Sequence, residues 1–230
     1  MNPYLIGPEF IIIAVTMIYA SFRDHKKRSV PFLLFFPGMA VAVAVSVLTG
    51  QLILSMFASI LFIILFLDAD SMIYLAAVSI ISVTGFIILS IYSDFSGMVT
   101  WLFMIMLAFM GYREILFGKG DIKGITTIMF SLNMLYITIS PYVQIPVSML
   151  FFMNTGLSSA VAFIWAMYCM KRTTGSMGFL APYSGDIDPV KFRKFERRGK
   201  TMVSYNIPFM IFITMAYFIT MASYLVGFAA

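Results

Sequence analysis

Charged side chains are scarce in this chain: they make up 11% of 230 residues, while 61% are hydrophobic and the mean hydropathy is +0.98. A soluble domain is about a quarter charged. Cysteine and histidine are each represented once, by Cys169 and His25. One cysteine excludes a disulfide framework or a cysteine-rich metal site, and one histidine cannot form a histidine-ligand site. We therefore expect an integral membrane protein that uses no metal and no cofactor.

The chain consists mainly of long apolar runs. Runs of about 17 to 25 apolar residues are typical of membrane-spanning helices. We predict an all-α polytopic bundle of about eight transmembrane helices with a small cytoplasmic loop region. The predicted helices cover residues 4–22, 31–48, 51–67, 72–92, 98–117, 122–140, 146–170 and 207–228.

All fifteen Lys and Arg residues fall in three segments: after the first predicted helix, around the join of the fifth and sixth, and after the seventh. Lys and Arg stay on the cytoplasmic side of a membrane. This pattern predicts a multi-pass protein of the cell membrane with both termini outside. The formal charge of +5 is then membrane asymmetry, aided by anionic lipid headgroups, and indicates no nucleic acid partner.

We divide the chain into residues 1–170 with seven helices, a cytoplasmic stretch 171–205, and a final helix in 206–230. The cytoplasmic stretch contains a charged run from Lys191 to Lys200, in which Phe192 and Phe195 stand at helical spacing. We predict that this run is a short amphipathic element lying on the membrane surface.

Two aspartates fall at the predicted cytoplasmic face, Asp24 at the inner end of helix one and Asp121 at the start of helix six. Two carboxylates brought close together share one proton, so one activates water and the other protonates a leaving nitrogen. That pairing hydrolyses a peptide bond without metal. A purely structural interpretation stays open: Asp121 caps helix six, and Asp24 is a solvated loop charge beside Lys27 and Arg28.

Three short motifs resemble the type IV prepilin peptidases and archaeal preflagellin peptidases, which are Gly-x-Gly-Asp aspartic proteases. The first is Gly118-Lys119-Gly120-Asp121-Ile122-Lys123, which matches the family's Gly-x-Gly-Asp-x-Lys pattern. The second is Asp24 followed by Arg28-Ser29-Val30-Pro31, and the third is Ile207-Pro208-Phe209 before the last helix. Together these motifs touch both ends and the middle of the chain.

The resemblance implies that Asp24 and Asp121 are the catalytic pair and that Gly118 and Gly120 shape the loop that admits an extended substrate. It further implies that Lys123 and Arg28 support a carboxylate or a substrate carbonyl, or else are flanking cations. The substrate would be a prepilin- or preflagellin-type precursor, cleaved after its short basic leader at the cytoplasmic face. Acids that could attract that leader are Asp68, Asp70 and Glu114.

Two features depart from the family pattern. Asp24 and Asp121 are 97 residues apart with four predicted helices between them, where the family usually has two. The paired Cys-x-x-Cys motifs of many bacterial members are missing, which favours the archaeal, peptidase-only form. Two other functions remain open. One is an ion- or proton-coupled transporter that relays ions through membrane-edge aspartates. The other is a non-catalytic scaffold of a pilus or archaellum assembly system.

Overall fold

The computed structural model describes residues 3–67, 71–113, 119–133, 136–140, 143–183, 185–197 and 199–229. Most of these residues lie in eight α-helices. The helices are α1 Pro3–Lys27, α2 Phe36–Leu48, α3 Leu52–Leu67, α4 Ser71–Tyr92, α5 Phe95–Arg113, α6 Lys119–Leu132, α7 Val147–Thr174 and α8 Phe209–Ala229. A 3₁₀ turn, Phe32–Phe35, leads into α2. The prediction of a mostly helical chain with eight helices is confirmed for the described residues.

The expectation of eight membrane-spanning helices is wrong by length and composition. Within the described residues, three helices are long and apolar enough to cross a bilayer: Met72–Tyr92, Val147–Thr174 and Phe209–Val226. Shorter apolar helices cover Leu33–Leu48, Leu52–Leu65 and Phe95–Met110. A helix rises about 1.5 Å per residue, so 20 residues are needed for a hydrocarbon layer of about 30 Å. Within the described residues, apolar runs therefore overestimate the number of spans.

The sixth predicted helix, 122–140, is the clearest such error. Helix α6 ends at Leu132, and the chain then forms the antiparallel strands β1 Tyr136–Ser140 and β2 Val143–Pro146. The segment Tyr-Ile-Thr-Ile-Ser is rich in aromatic and β-branched residues, which favour strands. An apolar run of this kind satisfies a hydropathy window whether it is helical or extended, so hydropathy alone could not distinguish the two.

A second sheet follows α7 and has the strand order β3-β5-β4, with β3 Ala181–Pro182, β4 Phe192–Arg197 and β5 Lys200–Tyr205. The helical conformation that the spacing of Phe192 and Phe195 suggested for the run from Lys191 to Lys200 is therefore wrong, because this run forms β4 and the start of β5. Gly199, at φ +70°, makes the turn between β4 and β5. Residues three apart on a strand face opposite sides, so Phe192 is buried while Phe195 is 37% exposed.

Helix α6 is the centre of the bundle. Every residue from Ile122 to Asn133 is buried, although α6 is only 14 residues long. A helix that is buried on all sides must be surrounded by others, and α6 contacts α1, α2, α3, α5, α7 and α8. At one edge of this arrangement, α8 packs along both α1 and α7. Helix α6 from Ile122 onward thus lies inside a ring of helices, and the half-buried Asp121 stands immediately before this stretch.

Candidate functional site

Asp24 lies in the last turns of α1, beyond the apolar part of that helix, and is 6% exposed. Its Oδ2 atom accepts a hydrogen bond of 3.1 Å from the backbone N–H of Met210, the second residue of α8. The first N–H groups of a helix have no partner within the helix and carry a partial positive charge. Asp24 therefore caps α8 from a distant part of the chain, and the alternative that it is a solvated loop charge is wrong.

Further hydrogen bonds hold α1 against the start of α8. Ser21 Oγ donates to the Met210 carbonyl at 2.9 Å and shares a 2.7 Å hydrogen bond with Thr214 Oγ1. Thr214 Oγ1 also donates to the Met17 carbonyl at 3.2 Å. Hydroxyl and backbone groups from both helices thus satisfy one another across the seam. This seam fixes the position of the Asp24 carboxyl group relative to α8.

Burial raises the pKa of the Asp24 carboxyl group above its ordinary value, because the charged form is poorly solvated there. Three groups oppose that shift by stabilising the charged form: the Met210 N–H, the Arg28 guanidinium and the His25 side chain. Burial outweighs these three groups, so the net shift in pKa is upward. A pKa shifted by burial and by specific neighbours is one mark of a candidate functional residue.

Arg28 follows α1 with φ +51°, and no other described non-glycine residue has a positive φ. Its backbone N–H donates to the Asp24 carbonyl at 2.8 Å, which ends the helix. Its Nη2 donates to the Tyr205 hydroxyl at 3.1 Å, and the guanidinium lies 5.4 Å from the centre of that ring. The left-handed conformation costs an arginine about 1 kcal/mol. The observed contacts with β5 offset this strain.

Asp121 lies in the first turn of α6, next to Gly120, and is half-buried. One turn further, a methyl group at Gly124 would lie 3.1 Å from the Phe35 ring and 3.2 Å from Met210 Cε. The first turns of α6 therefore approach Met210, whose N–H binds Asp24. The structure brings the aspartate-bearing ends of α1 and α6 to the same end of α8. The location of Asp121 also suits the capping interpretation, which stays open.

The remaining predicted site residues divide into two groups. Lys123 lies in α6 with its side chain 6% exposed, which places a buried cation two residues from Asp121. Asp68, Asp70, Glu114 and Gly118 lie outside the described residues.

Sequence reasoning missed two participants in this region, the Met210 backbone and Tyr205. A signal existed for the first of these. The Ile207-Pro208-Phe209 motif opens α8 immediately before Met210, and that opening presents the free N–H to Asp24. No pattern in the sequence pointed to Tyr205, because its role depends on how β5 approaches Arg28.

Comparison with protein-family models, with curated proteins and with solved structures finds no match for this chain.

Proposed function

We propose that this chain is a membrane aspartic endopeptidase that removes the short basic leader of prepilin- or preflagellin-type precursors. The observation that carries the proposal is the meeting of two helix ends at Met210. Asp24 of α1 binds the Met210 N–H, and the first turns of α6, which bear Asp121, pack against the Met210 side chain.

The chemistry follows from two acids sharing a proton. The ionised member takes a proton from water, which attacks the scissile carbonyl, and the protonated member donates to the leaving nitrogen. Carboxyl groups that share a proton titrate as a unit, so neither acid is assigned a fixed role. Arg28 and Lys123 supply positive charge beside the pair, and Gly118 and Gly120 would shape the substrate loop. Asp68, Asp70 and Glu114 would attract the basic leader.

The proposed location is the cytoplasmic face of the cell membrane, in a multi-pass protein with both termini outside. Support comes from how the basic segments assemble. Arg28 from the first segment, together with Arg172 and Lys191 from the last, lines one cavity. The second basic segment ends at Lys123, and the next residue, Gly124, lies against Met210 at the same end of α8. Basic residues gathered at one end of a helical bundle are typical of a cytoplasmic face.

The test is cleavage of a prepilin-like precursor by the purified chain, measured as release of the leader peptide. We expect Asp24→Asn and Asp121→Asn each to lower the rate by about 10² or more, because each removes a proton-transfer group. Asp94→Asn is the matched control, since Asp94 accepts a hydrogen bond from the Gly97 N–H at the start of α5. Full cleavage by either site variant would refute the proposal and favour the scaffold function.

One observation favours the transporter alternative. Glu9 in α1 is 1% exposed, and its Oε2 is buried without a hydrogen-bond partner among the described residues. Buried acids inside a helical bundle commonly mark proton or ion pathways. If the chain transports protons, Glu9→Gln in proteoliposomes abolishes a pH gradient-driven flux, whereas the peptidase proposal expects Glu9→Gln to leave cleavage unchanged.

A further inference from the structure

A cavity of about 700 Å³ lies beside the candidate site but on the other face of α8. It is bounded by the end of α1, the end of α7, the start of α8 and the sheet β3-β5-β4. Pro208, just before α8, and Ile211 and Phe212 in α8 line it, whereas Met210 faces α6. The cavity is therefore separate from the meeting point of the two aspartate-bearing helices.

The charge of the cavity is positive at its rim. Arg28, Arg172 and Lys191 line it, as do Asp186 and Asp188. Lys191 and Asp188 form an ion pair of 3.3 Å and largely neutralise each other. Arg28, Arg172 and Asp186 remain, which together carry one net positive charge. Within the part of the chain that the structure describes, Arg172 has no ion pair, so its guanidinium is available to an anion.

Arg28 adds unsatisfied hydrogen-bonding capacity. Its Nη2 is used by Tyr205, but Nε and Nη1 are buried with no hydrogen-bond partner among the described residues. A buried donor without an acceptor costs about 1–3 kcal/mol. Rotation of the guanidinium toward an acceptor in the cavity would satisfy both donors. Planar guanidinium groups match phosphate oxygens in pairs, which makes phosphate a favoured acceptor.

The other wall of the cavity is apolar. Trp165 lines it from the C-terminal part of α7, and Ile211 and Phe212 line it from the first turn of α8. Below them, the outward side of α8 exposes Met215, Phe218 and Ile219 between the flanking helices α1 and α7. A ligand with a phosphate at one end and a long apolar chain at the other fits both walls. A free anion would use only the arginines, and a basic peptide would meet charge of its own sign.

We propose that this cavity binds an anionic phospholipid, with the phosphate between Arg28 and Arg172 and an acyl chain along the outer side of α8. Arg28 is shared with the proposed catalytic site, whereas Arg172 belongs to this cavity alone, so a change at Arg172 tests lipid binding without altering the catalytic pair. The bound lipid would hold α1, α7 and the sheet together at the membrane surface.

The experiment measures quenching of tryptophan fluorescence in vesicles by acyl-brominated phosphatidylglycerol, compared with acyl-brominated phosphatidylcholine. Trp165 lines the cavity, whereas Trp101 is fully buried. Emission that remains in Trp165→Phe therefore belongs to Trp101 and is subtracted. We expect the wild-type chain to associate about fivefold more strongly with the anionic lipid, because Arg28, Arg172 and Asp186 leave one net positive charge, which is worth about 1 kcal/mol.

Arg172→Gln should abolish that preference, so that the chain associates about equally with the two lipids, because the net positive charge of the cavity is lost. Lys171→Gln is the matched control because it removes an adjacent charge that does not line the cavity. Arg172→Lys should keep most of the preference, and unchanged Trp101 emission will show that the variants are folded. A preference that survives Arg172→Gln overturns the proposal. Loss of the wild-type preference in millimolar inorganic phosphate would instead assign the cavity to a free anion.

Discussion

Helix α1 carries two buried acids whose surroundings differ. Asp24 receives the Met210 N–H and has Arg28 and His25 nearby. Glu9 lies fifteen residues earlier, about 22 Å along the helix, and its Oε2 has no hydrogen-bond partner among the described residues. The nearby Tyr217 hydroxyl donates to the Phe10 carbonyl. The two acids therefore share burial but differ in the groups that surround them, since Asp24 has neighbours that stabilise its charged form.

The largest expected effect concerns how the acids act in combination. We expect the double variant Asp24→Asn, Asp121→Asn to cleave precursor no more slowly than either single variant, about 10² or more below wild type. Groups that act as one unit are not additive. Glu9→Gln should leave the rate within about twofold in any background, because it sits far from the reacting atoms. Rates of leader release from single and double variants decide this. If the double variant lost the product of the two single-variant losses in rate, Asp24 and Asp121 would act independently, and the pairing would be wrong.

Stability should respond in opposite directions at the two acids. Asp24→Ala leaves the Met210 N–H buried and unpaired, so we expect the free energy of unfolding to fall by about 1–3 kcal/mol. Glu9→Met keeps an unbranched chain of similar size and removes an unpaired polar atom, so we expect a gain of about 1 kcal/mol. Denaturation in one detergent measures both changes. A loss at Glu9 equal to that at Asp24 would reveal a hidden partner for Glu9.

The contact between α6 and α8 should tolerate no added volume. Gly124→Ala places a methyl group 3.1 Å from the Phe35 ring and 3.2 Å from Met210 Cε. We expect a cost of about 1–3 kcal/mol, because the Phe35 ring and the Met210 methyl group must both shift by a few tenths of an ångström. Gly156→Ala in α7 is the control: it meets open space and should stabilise by up to about 1 kcal/mol. Equal changes in the free energy of unfolding for Gly124→Ala and Gly156→Ala would contradict a tight α6–α8 contact.

The smallest expected effect is a dependence of stability on pH. Burial raises the pKa of Asp24 above 3.8, so protonation favours the folded state over the unfolded chain. The stabilising contribution is full below the unfolded pKa of about 3.8 and is lost as pH rises through the folded pKa. Unfolding midpoints of the wild type, measured from about pH 4 to 7, should fall more steeply than those of Asp24→Asn. Parallel profiles would show that Asp24 titrates as in the unfolded chain.

Several elements were predictable because their signals are local. Helices near 31–48, 51–67, 72–92 and 207–228 follow from apolar runs bounded by turns, and the observed ends differ by a few residues. The position of Asp121 in the first turn of α6 also followed from its neighbours. The strands did not, since β1 and a helix share the same hydropathy. Phe192 and Phe195 likewise fit a helical spacing, although pairing with β5 decides their conformation.

By itself, the sequence determined that the chain is apolar and mostly helical, that its basic residues fall in three segments, and where two suspect acids lie. Those properties depend on residues close together along the chain. Only the tertiary structure decided that Asp24 caps α8 at Met210, that Gly124 lets α6 approach the same residue, and that Arg28 and Arg172 line one cavity. Each of these contacts joins residues far apart in the sequence. Their formation depends on how whole helices pack, because the buried faces compete for the same space and each backbone donor needs an acceptor.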